Sequence, residues 1–267
     1  MSTPRRPLLA EAWRLAVGTL SVLPVRPPTR VDRQVAGRAM LLAPAVGLLV
    51  ALPACAALWL LGLPGRPGPG TIAAPLAIGL VAVLTRGMHL DGLADTVDGL
   101  GSRRPAPQAL EVMRRGDVGP FGVVALVLVI LVQVAAVVQL GPGRAPIALL
   151  VALVAGRAAL PGACRRGVGA ARPDGLGATV AGTVRPVAAL ASTVVSFALV
   201  AAIAVLAGSD VRDTTPMLVA GVAGIAVALA AVTHAVRRLG GITGDVLGFG
   251  VELATTATLA LAAVLVG

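Results

Sequence analysis

Lysine and tyrosine are absent from this 267-residue chain, acidic residues number only 12, and charged residues of either sign make up 13%. A soluble domain carries about a quarter of its residues charged, so a water-facing globular surface is excluded. Cysteine is nearly as scarce. Cys55 falls inside an apolar run and Cys164 at the end of another, a spacing that suits neither a disulfide framework nor a zinc site, and both read as inert buried thiols. Two tryptophans and three phenylalanines offer little for base stacking, which removes the nucleic-acid reading that a pI near 11.7 invites. The first residues also lack the apolar core and small-residue cleavage site of a signal peptide.

Apolar sequence is what the chain has in abundance. It is 57% hydrophobic with a mean hydropathy of +0.93, the signature of an integral membrane protein. About 20 apolar residues are needed to cross a hydrocarbon core of about 30 Å. Seven such runs lie near 39–62, 71–88, 119–140, 145–163, 185–207, 215–236 and 246–267, which predicts an all-α, polytopic helical bundle. Leu8 to Leu23 is shorter and holds Glu11 and Arg14, so it reads as an interfacial helix or a tilted partial span. Pro44, Pro53, Pro75 and Pro161 fall in or beside the runs and predict kinks whose freed carbonyls neighbouring helices can satisfy. The connections GLPGRPGPG at 62–70 and GPGR at 141–144 are turn-rich and short, as between antiparallel helices. No internal repeat or boundary divides the chain, and residues 1–267 read as one membrane-embedded domain.

The arginines orient the bundle. Residues 1–38, 86–118, 157–185 and 237–238 hold 19 of the 22, leaving Arg66, Arg144 and Arg212 for the other connections. By the positive-inside rule the first set faces the cytoplasm. That expectation makes the chain a multi-pass protein of the cytoplasmic membrane, with any site built from those segments open to the cytoplasm.

Three of the 12 acids stand together in RGMHLDGLADTVDGLGSRR, residues 86–104. In a helix, Asp91, Asp95 and Asp98 fall within about 60° of arc, with Leu90, Leu93, Val97 and Leu100 on the opposite side. Gly92 and Gly99 flank the acidic face and let backbone or ligand approach closely. Carboxylates this close repel one another unless a cation lies between them. Hard oxygen donors that stay partly open to water suit Mg²⁺, which completes its shell with waters and substrate phosphates. The competing reading is a solvated helix end whose acids pair with Arg86, Arg103 and Arg104. His89 projects nearly opposite Asp98, so it shares no coordination shell with all three acids unless the helix starts after it, and a packed or hydrogen-bonding histidine is the commoner reading. His234 has less context still.

The stretch RGMHLDGLADTVDGL resembles the signature of the cobalamin synthase family, membrane adenosylcobinamide-GDP ribazoletransferases. Further similarities follow in the family's order. They are GTLSVLPVRPP at 18–28, LLAPAVGLLVAL at 41–52, GDVGPFGVVALVL at 116–128, ARPDGLGATVAG at 171–182 and LGGITGDVLGFGVE at 239–252. The resemblance covers nearly the whole chain. It implies the joining of adenosylcobinamide-GDP to α-ribazole or its 5′-phosphate, with release of GMP and with Mg²⁺ as cofactor. This is phosphoryl transfer, which asks mainly for in-line positioning and charge neutralisation. It implies Asp91, Asp95 and Asp98 as metal ligands and His89 as a helper or base. Asp245 is implied as a further ligand or orienting group, with Gly240, Gly241, Thr243 and Gly244 of the same turn near a phosphate. A helix N-cap is the competing reading of Asp245, and a polar packing partner that of Glu252. Asp117 stands two places later than the family's loop acid, where this chain has Arg115. Arg114, Arg115, Arg165, Arg166 and Arg172 read as contacts to substrate charge or as membrane-face arginines. The implied partners are the two small-molecule substrates and the lipid bilayer, without nucleic acid. A homo-oligomer or association with other cobalamin-assembly enzymes is compatible with the sequence.

Two rivals are weaker. CDP-alcohol phosphotransferases have a similar first half-motif, imitated by Asp95, Asp98, Gly99, Ser102 and Arg103, but Val112 stands where their next glycine belongs. An ion-coupled transporter would hold its acids at mid-membrane on paired broken helices, which the sequence lacks.

Overall fold

The computed structural model describes residues 7–61 and 69–266, so the connection read at 62–70, with Arg66, lies largely outside the described residues, as do Arg5 and Arg6. Ten helices follow in order among the described residues: α1 Leu8–Leu20, α2 Arg33–Leu61, α3 Pro69–Leu84, α4 Met88–Gly101, α5 Ala106–Val112, α6 Pro120–Ala163, α7 Gly175–Val180, α8 Pro186–Leu206, α9 Val211–Leu239 and α10 Gly244–Val266. There is no strand among them, only two isolated bridges, Arg165 with Val184 and Ala170 with Ile242. Five helices are long and apolar enough to cross a membrane, or six if α3 and α4 count as one bent span. The protein is a multi-pass membrane protein.

The seven predicted runs map onto these helices because α6 contains two of them. Gly141, with φ 69° and ψ 172°, breaks its helical path. On either side of the break, Gln139 donates to the carbonyl of Ala263 and Arg144 to that of Val266. Farther out, Gln133 donates to Glu252, and Gly156 abuts Val251 and Thr255. Both halves of α6 therefore climb the same helix, α10, and the chain folds back on itself at Gly141. The prolines at 44, 53 and 161 lie inside continuous helices. The sharp breaks fall at positive-φ positions instead, at Gly141 and at the corner Arg86–Gly87 (φ 56° and 65°).

That second corner turns α4 away from α3 by 88°, so α4 leaves the path of the span and lies across the end of the bundle. Arg86 holds a left-handed backbone that costs a non-glycine residue energy. Its guanidinium donates to the carbonyl of Gly18, and the N–H of Val22 to that of Leu84, which ties the N-terminal segment over the corner. At 13 residues, α1 spans about 20 Å and is too short to cross. It packs on α2, with Ala12, Ala16 and Val17 fully buried. Glu11, 1% exposed, accepts from the N–H of Thr29 and from Arg14, and these bonds, with Thr29 foremost, hold its carboxyl below the usual range.

Arg157 differs from expectation. It was grouped by sequence with the connection after the fourth span, yet it lies within α6, 1% exposed. It persists there because polar groups from three helices meet it. Its Nη2 lies 3.4 Å from His89 Nδ1, with Glu252 nearby on α10, itself bonded to Gln133. Glu252 is thus a buried packing partner.

Candidate active site

The α3–α4 corner, α5, the loop after α6 and the α9–α10 turn meet at one end of the bundle. They enclose a cavity of about 430 Å³ whose polar lining includes His89, Asp91, Arg114, Arg172, Asp174, Thr243 and Asp245. The sequence placed these segments on one side of the membrane, and the structure brings them to one site.

The predicted helix over the acidic stretch is present as α4, but its three aspartates have different surroundings. Asp91 is exposed and faces the cavity. Asp95 is half-buried. Burial first, then the charges of Asp91, Asp245 and Asp98, push its carboxyl up to about 7, with only Arg172 opposing. Asp98 is buried and turned toward α6, where Oδ2 accepts from the N–H of Gly119 (2.7 Å) and Oδ1 from that of Gly122 (2.9 Å). It therefore caps the start of a neighbouring helix, where a negative charge is favoured. A side chain at Gly119 or Gly122 would collide with this carboxylate, which explains the glycines of GPFG. None of the three aspartates pairs with Arg86, Arg103 or Arg104 among the described residues, so the solvated-helix reading fails. Nor do any three His, Cys, Asp or Glu side chains among the described residues converge closely enough to hold one ion.

The other glycines act mainly in packing. A Cβ at Gly92 would lie 2.7 Å from the carbonyl oxygen of Asp245, and one at Gly248 would lie 3.2 Å from the backbone of His89. Through these two positions α4 crosses α10 in backbone contact. Gly241 is pressed against the peptide between Ala170 and Ala171, and Gly177 against Ile242 and Thr243. The bonds Ile242 N–H to Gly169 and Ala171 N–H to Ile242 lock the RPDGLG loop to the GGITGD turn. Gly99 gives room to Met113. Gly240, Gly244 and Gly175 have open space instead: a Cβ at Gly240 or Gly175 meets nothing within 4 Å, and one at Gly244 meets only Leu176, at 3.7 Å.

The N-cap of α10 is Thr243, whose hydroxyl accepts from the N–H of Val246 (3.2 Å). Asp245 is therefore free of the capping role that the sequence allowed it. It approaches Thr243 Oγ1 at 3.2 Å and Arg172 Nη1 at 4.0 Å. Arg172 donates through Nη2 to Leu110 (2.7 Å), while its Nε is buried without a partner. Burial lowers its pKa, and Arg114 adds to that against the pull of Asp245, Asp174 and Asp95. His89 is 3% exposed, beside Arg157, with Nε2 unpartnered.

Sequence reasoning gave Arg172 and Arg114 no firm role, yet both line the cavity, and Arg114 pairs with Asp174 across it at 3.3 Å. The RPDGLG motif was the available signal for two of these residues. Asp117, Arg115, Arg165 and Arg166 do not line the cavity; Asp117 sits on an exposed loop.

Carboxylates and two arginines lining one cavity fit phosphate chemistry, and comparison with known proteins agrees. A relative from Nocardioides sp., named adenosylcobinamide-GDP ribazoletransferase, is 45% identical over 256 residues, covering 94% of this chain and 97% of its own. Relatives of the same name from Frankia casuarinae and Stutzerimonas stutzeri are 40% and 35% identical, covering 94% and 95% of this chain and 94% and 98% of theirs. No solved structure matches significantly. The family described as cobalamin-5-phosphate synthase matches residues 12–263, and the chain belongs to that family.

Proposed function

We propose that this chain joins adenosylcobinamide-GDP to α-ribazole or its 5′-phosphate and releases GMP. The observation that supports it most is the convergence of Asp91, Asp245 and Arg172 on one cavity, beside Asp95, in a chain whose relatives carry that name along almost their whole length. A ribazole hydroxyl oxygen forms a bond to the phosphorus next to the aminopropanol linker, the bond from that phosphorus to the GMP oxygen breaks, and the hydroxyl proton passes to a base. Asp91, the exposed acid at the cavity, is assigned to take that proton.

A crowded carboxylate such as Asp95 is the donor chemistry that a hard cation relieves. Asp95 would hold Mg²⁺, which uses one or two carboxylates besides substrate phosphates and would supply charge neutralisation on the diphosphate, leaving Asp91 free as the base. Arg172, with Nη2 committed to Leu110 and Nη1 near Asp245, holds diphosphate oxygens through Nη1, and Asp245 orients Arg172. Asp98 positions: it fixes α4 to the start of α6. A cavity of about 430 Å³ is at the small end of ligand sites and takes only the reacting portion of so large a substrate. The corrinoid then lies outside it. The arginine distribution supports placing this end at the cytoplasmic face of the inner membrane.

The test uses purified full chain in vesicles with adenosylcobinamide-GDP and α-ribazole, scoring GMP release. Release that requires both substrates and Mg²⁺, and that Asp95→Asn lowers by at least about a hundredfold, is expected. Release without α-ribazole, or undiminished by chelator or by Asp95→Asn, overturns the proposal.

A further inference from the structure

A second cavity, of about 760 Å³, opens between the second half of α6, α8 and α9. It is separate from the active-site cavity, which lies on the other side of α6: Leu160 lines the first, Ala158 and Gly162 the second. Its residues run from Arg237, in the last turn of α9, to Val222 near that helix's middle. The 15 steps between them rise about 22 Å, the depth of one leaflet with its headgroup region, half of a bilayer about 40–45 Å thick. The groove therefore starts at the membrane face and runs down the depth of one leaflet.

Its chemistry is divided along that length. At the membrane end stand Arg165, His234 and Arg237, with no acidic residue anywhere in the lining. Arg165 uses Nη1 on the carbonyl of Gly162, and neither His234 nor Arg237 makes a side-chain hydrogen bond or ion pair among the described residues. Below them the wall is apolar in effect. Its two hydroxyls, Thr193 and Thr233, donate back to the carbonyls of Ala189 and Leu229 on their own helices, so they ask nothing of a ligand. Cationic groups at headgroup level above an apolar trough one leaflet deep complement an anionic lipid. A second copy of the chain would have to bring an acid to that end and a ridge to the trough.

We propose that this groove binds one anionic phospholipid, its phosphate at Arg165, His234 and Arg237 and an acyl chain along the trough. The proposal is independent of the reaction assigned above. Native mass spectrometry of the purified full chain in detergent, with phosphatidylglycerol and phosphatidylcholine of matched chains, tests it. Retention of phosphatidylglycerol roughly tenfold above phosphatidylcholine is expected, falling to parity in Arg165→Gln/Arg237→Gln. Ala226→Phe, which keeps every charge and fills the exposed apolar wall, lowers retention of both lipids and stands as the test if the double variant does not fold. Equal retention by the unaltered chain overturns the proposal. So does a preference that survives the double variant, lipid retention untouched by Ala226→Phe, or a dimer without lipid that Ala226→Phe dissociates.

Discussion

Replacing Asp98 by Asn separates anchoring from chemistry. The aspartate accepts two backbone N–H groups at the start of α6. An asparagine can satisfy only one with its oxygen, and its NH₂ then faces the other donor. Losing one charge-assisted hydrogen bond costs about 1.5–3 kcal/mol, and losing the negative charge at a helix N-terminus about 0.3–1 kcal/mol more. The expected destabilisation is about 2–4 kcal/mol. For a chain of this size that corresponds to a fall in thermal midpoint of roughly 4–7 °C, read as loss of the monodisperse species after heating in detergent, since such unfolding is operational and not reversible. Gly122→Ala, whose methyl group strikes the same carboxylate, lowers the midpoint similarly, and the double variant is no worse than the harsher single one because both remove one interaction. An Asp98→Asn chain that melts with the wild type and yet releases no GMP would refute the anchoring role and make Asp98 a ligand of the reacting centre.

Two further outcomes follow from the same geometry. Gly241→Ala forces a methyl group into the Ala170–Ala171 peptide, and by separating the RPDGLG loop from the α9–α10 turn it costs about 2–4 kcal/mol and most of the GMP release; trypsin cleavage after the exposed Arg166, faster in the variant, reports the detachment. In metal-free protein the raised Asp95 pKa destabilises the charged form. Its favourable contribution is complete below pH 3.8 and is lost as pH rises to about 7. The midpoint in chelator therefore falls between about pH 4 and 7 and levels off above, Asp95→Asn flattens the fall, and a midpoint that instead climbs over this range contradicts the crowding of acids around Asp95.

Much of the fold was legible because lipid enforces it: each long apolar run became a helix or half of one, and Gly141 announced the fold-back between two halves. The acidic helix was legible from spacing alone. Its division of labour was not, because Asp98 is defined by a helix start 21 residues later and Asp95 by its burial, with Asp245 of α10 adding to the charge of Asp91. Arg157 misled the topology count, since sequence does not show that His89, Gln133 and Glu252 come together around it. Thr243 and Asp245 compete for one cap by type, and only the backbone geometry decides. Arg172 was ambiguous because a membrane-face arginine and a phosphate-binding one look alike until Asp245 lies beside it.

The crossing of α4 on α10, with Gly92 against the backbone of Asp245, has a consequence for biogenesis. The acidic helix is synthesised early and its partner late, with five helices made between them. Until α10 arrives, α4 lacks the helix that it crosses in backbone contact, and the cavity has neither Asp245 nor Thr243. The spans can enter the bilayer one after another as they leave the ribosome, but the site is assembled only when the two ends of this long interval dock, so a nascent chain halted before α10 is inserted and inert.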